Sequence, residues 1–349
     1  MGMTFFPTNE YSAEKCWHVH ERTREYLNST GVGDEIQRIT FCFFPTWQLV
    51  PGTRDQVLSG HTFPWYESFH DLEISFTLTE FGLYKHAHSA LRSALELGLL
   101  LVYWNMEENG HNAIKEWLRS RDSTPFASKV WKRISAHPNF ESFQRSFDLE
   151  SQFKSVSTLS DFVHTKGAKY SNFRPFPEGG TFWLPGQRFS ESAFTAWHDA
   201  FTSTVRFLAV CYLVRYPLGT VKYDWGNKFG IDTPTFGGLE PNQVSRLEEL
   251  VTPDIFCKIS AIAENDSHVV RIMEWVRGLP DLSEENVEAQ IIEQNKLLIQ
   301  DMGLNEWLAF QKQAIQHAAD AGQDTNHWKS RLANLCQWAR NHGLDKPRP

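Results

Sequence analysis

The run Leu83–Trp104 constrains the fold more than any other stretch of this sequence. His88, Arg92 and Glu96 follow one another at intervals of four residues, so they share one face of a helix. The end of the run, Leu97–Trp104, is apolar on every face, which predicts a buried helix. A charged pair at the entrance to a buried helix is costly unless it has partners. The pattern therefore predicts a polar centre inside a helical bundle.

Helical periodicity along the rest of the chain predicts an all-α protein. Helices are expected over residues 10–28, 73–104, 110–121, 125–136, 139–152, 154–166 and 190–216. The stretch 73–104 is either one continuous helix or two helices with a break near Gly82. Residues 34–75 are rich in aromatic side chains and interrupted by proline and glycine, so this segment is expected to be partly irregular. A C-terminal array of helices is expected over 241–251, 253–264, 266–278, 283–302, 304–320 and 325–342.

Two loops rich in proline and glycine, at 168–187 and 218–240, divide these helices. The sequence therefore predicts three segments. Residues 1–75 hold the first helix and the irregular segment, 76–217 form the bundle with the polar centre, and 218–349 form the C-terminal helical array. The long helix of the bundle should end at Pro217, because proline interrupts a helix. Its expected apolar face consists of Phe194, Trp197, Phe201, Val205, Leu208 and Tyr212.

Composition excludes several classes of function. The net charge of −8 leaves no large basic excess with which to hold duplex nucleic acid. The apolar runs are too short to cross a bilayer, and residues 1–10 lack the pattern of a signal peptide. Five widely spaced cysteines without a CxxC pair indicate reduced thiols. We therefore expect a soluble, cytoplasmic protein that does not bind a membrane.

A second polar motif ends the helix expected over 154–166. His164 falls in the last turn of that helix, where the helix dipole favours a charged imidazole. Lys166, Lys169 and Tyr170 follow directly.

The two motifs allow a functional interpretation and a structural one. In the first, Arg92, Glu96 and His164 are catalytic, with Arg92 holding phosphate and His164 or Glu96 moving a proton. The substrate-binding residues are then His88, Lys166, Lys169 and Tyr170. In the second, Arg92 and Glu96 form an ion pair that fixes helix register, and His164 caps its helix.

The segments Ala90–Glu96 and Leu159–His164 resemble the HEPN-like superfamily and bacterial abortive-infection proteins, over roughly residues 76–216. Members of that superfamily are helical bundles, and many are ribonucleases whose catalytic Arg and His lie a few residues apart. The resemblance implies cleavage of RNA without a metal or cofactor, as a toxin-type effector in phage defence. Here only Arg54 and His61 have that spacing, and they lie in the segment expected to be irregular. Arg92 and His164 would have to meet through space.

Metal and nucleotide sites are not predicted. His18 with His20, and His86 with His88, are spaced by two residues and so point to different faces of a helix. The glycine pairs near 226–230 and 236–238 lack the strand–loop–helix setting of a phosphate-binding loop.

The C-terminal array carries the alternative to an enzyme, a non-catalytic interaction or adaptor subunit. Tryptophans recur on its helices, which indicates either core packing or a concave surface that binds a protein. They are Trp275, Trp307, Trp328 and Trp338. The partners to be tested are thus RNA, a protein bound through the C-terminal helices, or a second copy of the chain.

Overall fold

A computed structural model of the chain describes residues 12–51, 60–106, 110–167, 170–171, 188–230, 236–320 and 324–344. Every regular element in these ranges is a helix, which confirms the predicted all-α class. The first helices are α1 Ala13–Thr30, α2 Val32–Phe43, α3 Phe63–Glu80, α4 Tyr84–Trp104, α5 Gly110–Leu118, α6 Ala127–Ser135, α7 Pro138–Gln144, α8 Leu149–Ser157 and α9 Ser160–Val163. The later ones are α10 Glu191–Arg215, α11 Gly226–Phe229, α12 Pro241–Val251, α13 Pro253–Asn265, α14 Ser267–Gly278, α15 Glu284–Met302, α16 Leu304–Asp320 and α17 Asn326–Asn341. Short 3₁₀ helices cover Phe44–Leu49 and Pro217–Thr220.

Contacts divide the chain into two compact units rather than into the three predicted segments. The main unit comprises Met1–Tyr223 and Pro234–Glu274, and the C-terminal unit comprises Asp224–Thr233 and Trp275–Pro349. Residues 1–75 and 76–217 fall in one unit because α3 packs antiparallel along α4, across the predicted boundary. Helices α12 and α13 also belong to the main unit, although they were expected in the C-terminal array.

The segment 34–75 contains more helix than its prolines and glycines suggested. Most of α2, a 3₁₀ helix and the first part of α3 lie within it, and 52–59 are outside the described residues. Ile36, Ile39 and Phe43 are buried at helical spacing on α2. Pro64 sits in the first turn of α3, where its missing N–H costs no hydrogen bond. Pro45 likewise lies at the start of the 3₁₀ helix, so the position of these two prolines, and not their number, decides their effect.

The α3–α4 hairpin positions the predicted polar centre. Gly82 makes the turn in the left-handed region, with φ of 73°, which confirms the predicted break there. Two buried serines of α3 tie it to α4, since Ser68 Oγ donates to Ala94 O at 2.7 Å and Ser75 Oγ donates to Ala87 O at 2.8 Å. Side-chain bonds to backbone carbonyls replace apolar packing at these points and hold the two helices close together.

Helix α10 supplies the centre of the main core. All six side chains of its predicted apolar face are at most 1% exposed, which confirms that prediction. The apolar end of α4 packs against α10, and Leu99, Leu100 and Leu101 are likewise buried. The helix ends before Pro217 as expected.

The C-terminal unit has its own small core between α15, α16 and α17. Trp307 is 1% exposed and packs with Ile299, Leu335 and Ala339, which confirms the core-packing interpretation for this tryptophan. Its indole Nε1 donates to Asn295 Oδ1 at 2.8 Å. Trp275, by contrast, is 53% exposed.

An ion pair across this unit makes its stability depend on pH. Arg331 donates from Nε and Nη2 to the two carboxylate oxygens of Glu288, at 2.7 and 2.5 Å. These bonds hold the pKa of Glu288 below its usual value, against the opposing effect of burial. A depressed pKa contributes stability above the unfolded-state pKa, and that contribution is lost as pH falls through the folded-state pKa.

We expect Arg331→Gln to cost about 1 kcal/mol or less at pH 7, since Glu288 is partly exposed, and nothing once Glu288 is protonated. Urea unfolding at pH 7 and at a pH below the folded-state pKa of Glu288 measures the difference. Lys329→Gln, an exposed cation on the same helix, serves as control and should show no such pH dependence. An equal loss at both pH values would contradict the assignment.

Candidate functional site

His88 is the buried member of the predicted polar stripe. Its side chain is 2% exposed, and its Nδ1 lies 2.8 Å from Tyr84 O, one turn earlier on α4. The imidazole stacks on Phe162 with ring centroids 3.9 Å apart. His88 is buried although it lies near the polar start of α4, because α9 covers that end of the helix.

Arg92 and Glu96 bind each other at the edge of the core. Arg92 Nε and Nη2 lie 3.0 and 2.9 Å from Glu96 Oε1, and their side chains are 26% and 33% exposed. The expectation of a buried charged pair is wrong, since water reaches both groups. Each charge is neutralised by its neighbour one turn away, so the helix itself supplies the partner that the sequence seemed to require.

His164 of the second motif lies in a turn that follows a short helix, and not in the last turn of one long helix as expected. The helix predicted over 154–166 is divided into α8, which ends at Ser157, and the short α9. His164 follows α9 and is exposed, and its backbone N–H donates to Ser160 O. Lys166 Nζ lies 2.5 Å from Asp161 Oδ1. Lys169 lies outside the described residues.

The fold does bring the two motifs onto one surface. Besides the His88–Phe162 stack, Lys85 Nζ donates to Thr165 Oγ1 at 2.8 Å, and Tyr170 meets Phe162 edge-on at 5.0 Å. Among the described side chains, no hydrogen bond or ion pair joins His164 to Arg92 or Glu96. The contact between the motifs therefore runs through aromatic stacking and a lysine, rather than through the three residues predicted to be catalytic.

This geometry predicts a small cost for removing the arginine. Arg92→Ala should lower the free energy of unfolding by about 0.5 kcal/mol, the value of a partly exposed pair at this helical spacing. Chemical denaturation measures it, with Arg22→Ala as control because Arg22 pairs with Glu25 on an exposed helix face. A loss of several kcal/mol would show instead that Glu96 is left as a lone buried charge.

A groove that the sequence did not predict lies between α1, α2 and α3, and we call it the α2–α3 groove. It has a volume of about 710 Å³. Its floor is apolar and consists of Leu27, Ile36, Phe69, Leu72, Phe76 and Phe201. Because residues 34–75 were expected to be irregular, the amphipathic faces of α2 and α3 were not recognised as a pair.

The rim of the α2–α3 groove is acidic. Arg24 on α1 is ion-paired with Glu80 at 3.3 Å, so these two charges cancel. Asp34 on α2 and Glu73 on α3 are exposed and line the groove from its two flanking helices. Glu73 Oε2 also lies 3.1 Å from His70 Nδ1 on the same helix, whereas Asp34 forms no ion pair with a described residue. The groove thus combines an apolar floor with two exposed carboxylates, which favours a ligand with an apolar face and positive charge.

The described residues contain no group of three metal-ligating side chains that could hold an ion. Within the same residues, no helix has the length and apolar character required to cross a bilayer. Comparisons with protein-family models, curated proteins and solved structures give no match for this chain.

Proposed function

We propose that this protein is a non-catalytic helical interaction protein that binds a basic amphipathic helix of a partner in the α2–α3 groove. The observation that carries the proposal is the apolar floor framed by Asp34 and Glu73. Helix-in-groove recognition needs an apolar trough of a few turns, and the twelve residues of α2 span about 18 Å. The free state of the cysteines supports a cytoplasmic location.

Two designed peptides test the proposal. One is a fluorescein-labelled helix of leucine and lysine, and the other has the same pattern with glutamate in place of lysine. Fluorescence anisotropy with the full chain should show the lysine peptide binding at least about tenfold more tightly, a difference of about 1.4 kcal/mol. The double variant Asp34→Lys/Glu73→Lys should reverse this preference without unfolding the protein, because both residues are exposed.

The matched control is Glu264→Lys/Glu274→Lys, which changes the net charge equally at exposed positions outside the groove. It should leave the preference intact. Equal binding of both peptides, or equal effects of the two double variants, would contradict the proposal that the partner helix binds in the α2–α3 groove.

Phe310→Asp, at a 61% exposed position of α16, tests the prediction that the C-terminal helices bind a protein. If this variant alone lost binding of the lysine peptide, the binding site would lie on the C-terminal helices and not in the α2–α3 groove.

A HEPN-like ribonuclease, acting as a toxin-type effector in bacterial phage defence, is the second candidate. It is supported by the surface on which α4 and the turn after α9 meet, where Lys85 donates to Thr165 and Tyr170 packs on Phe162. On this proposal Arg92 holds the phosphate of the RNA, His164 moves the proton, and no metal takes part.

Labelled single-stranded RNA incubated with the full chain in EDTA tests the ribonuclease. Cleavage should occur, and Arg92→Ala and His164→Ala should each abolish it while Arg22→Ala retains it. RNA that stays intact with the wild-type protein, or variants as active as the wild type, would exclude this candidate.

A further inference from the structure

A second cavity in the main unit surrounds the end of α10. It has a volume of about 330 Å³ and is bounded by the ends of α4 and α10, the 3₁₀ helix after α10 and the start of α14. Arg215, Tyr216, Asp266, His268 and Asn105 contribute its polar lining. Cavities of this size hold small ligands whose polar ends meet a few fixed groups.

Arg215 brings an uncompensated positive charge to this cavity. Its Nη2 donates to Asn105 O at 2.8 Å, whereas its Nε is buried and has no hydrogen-bond partner in the part of the chain that the structure describes. No described carboxylate forms an ion pair with it. A guanidinium satisfied by one neutral carbonyl leaves both a donor and a charge available for an anion.

Tyr216 adds a second unused donor. Its side chain is 8% exposed, and its hydroxyl makes no hydrogen bond to any described residue. Burial raises the pKa of this phenol well above its usual value, so the hydroxyl keeps its proton. The guanidinium of Arg215 lies 5.1 Å from the centre of the Tyr216 ring, and both residues line the same cavity. A buried hydroxyl without a partner is costly, which indicates a ligand that accepts from it.

Asp266 places a negative charge in the wall of the same cavity. Burial raises its pKa, but bonds from Asn139 Nδ2 and the backbone N–H groups of Val269 and His268 outweigh that effect, and the pKa lies below its usual value. The carboxylate is therefore ionised, and no described cation forms an ion pair with it. The cavity presents one positive and one negative group that do not bind each other.

We infer that this cavity binds a zwitterion, a free α-amino acid with an apolar side chain. Its carboxylate would accept from Arg215 Nε and the Tyr216 hydroxyl, and its ammonium group would face Asp266. The rest of the lining is largely apolar and would hold the side chain: Leu49, Pro51, Leu218, Phe236 and Val269. This inference does not depend on the α2–α3 groove, which lies elsewhere in the main unit.

Isothermal titration calorimetry of the full chain with leucine, methionine and phenylalanine, each added separately, tests the inference. At least one of them should bind saturably, and at least about tenfold more tightly than its own analogue without the amino group, such as 4-methylpentanoate for leucine. Inorganic phosphate should bind no better than that analogue. Tyr216→Phe removes only the hydroxyl and should weaken the amino acid about tenfold, whereas Tyr66→Phe, an exposed tyrosine outside the cavity, should have no effect.

Asp266→Asn separates ligand binding from folding, because asparagine can still cap α14. It should weaken the amino acid about tenfold and leave the deaminated analogue unchanged. Lack of saturable binding by all three amino acids would overturn the inference. So would equal affinity for the deaminated analogue, tighter binding of phosphate, or a Tyr216→Phe variant that binds like the wild type.

Discussion

Replacing Trp197 with alanine should lower the free energy of unfolding by about 3–5 kcal/mol, the range for deleting a large aromatic side chain from a core. Trp197 is fully buried on α10 and packs against Phe194 and Phe201, with ring centroids 5.5 and 5.1 Å away. Its indole Nε1 also donates to Ser75 Oγ at 2.8 Å. Alanine leaves a cavity and removes the bond that Ser75 Oγ accepts, although that hydroxyl still donates to Ala87 O.

Urea denaturation followed by circular dichroism measures this loss. Trp17→Ala is the matched control, because Trp17 is 60% exposed on α1 and its removal should change stability by about 0.5 kcal/mol or less. If Trp197→Ala cost less than about 1 kcal/mol, the packing of α10 against α3 would have to be different from that described. A double-mutant cycle of Trp197→Ala with Ser75→Ala separates the coupling between the two side chains from the cost of the cavity.

Gly98→Leu should destabilise the protein by about 3 kcal/mol, at the upper end of the usual cost of overpacking. Gly98 lies on the face of α4 that packs against α10. A Cβ built on it would lie 2.6 Å from Leu208 Cδ2 and 2.8 Å from Tyr212 Oη. Both neighbours are themselves at most 1% exposed, so neither has room to move away. The two helices would have to separate and lose contacts along their length.

The control for this prediction is Gly278→Leu, at the end of α14. A Cβ there meets nothing within 4 Å, so the substitution should be neutral or slightly stabilising. Thermal unfolding of the two variants beside the wild type gives the comparison. Equal stability of Gly98→Leu and Gly278→Leu would mean that α4 and α10 are farther apart than the structure places them.

The helices themselves were largely predictable, because their signals are local. The apolar face of α10, its end before Pro217 and the break at Gly82 all follow from side chains within a few residues of each position. The exception was 34–75, where prolines that begin helices were taken to interrupt them. The helix predicted over 154–166 was also misjudged, since the break after Ser157 has no proline or glycine to mark it.

The candidate sites were harder to predict, because they depend on which distant segments meet. Four-residue spacing placed Arg92 and Glu96 within reach of each other, and the structure joins them. Spacing could not tell that their side chains lie at the edge of the core, or that Phe162 covers His88. The α2–α3 groove and the cavity at Arg215 had no motif at all, since each is assembled from four or more separate elements.

By itself, the sequence determined that this is an all-α protein and that α4 carries a polar stripe before a buried end. Helix formation and helix ends depend on nearest neighbours, which a linear pattern records. The tertiary structure alone decided which polar groups are buried and which charges are left without a partner. His88 became buried, Arg92 was neutralised, and Arg215 was left with an unused donor. Burial and pairing depend on contacts between segments far apart in the chain, and those contacts determine where a ligand can bind.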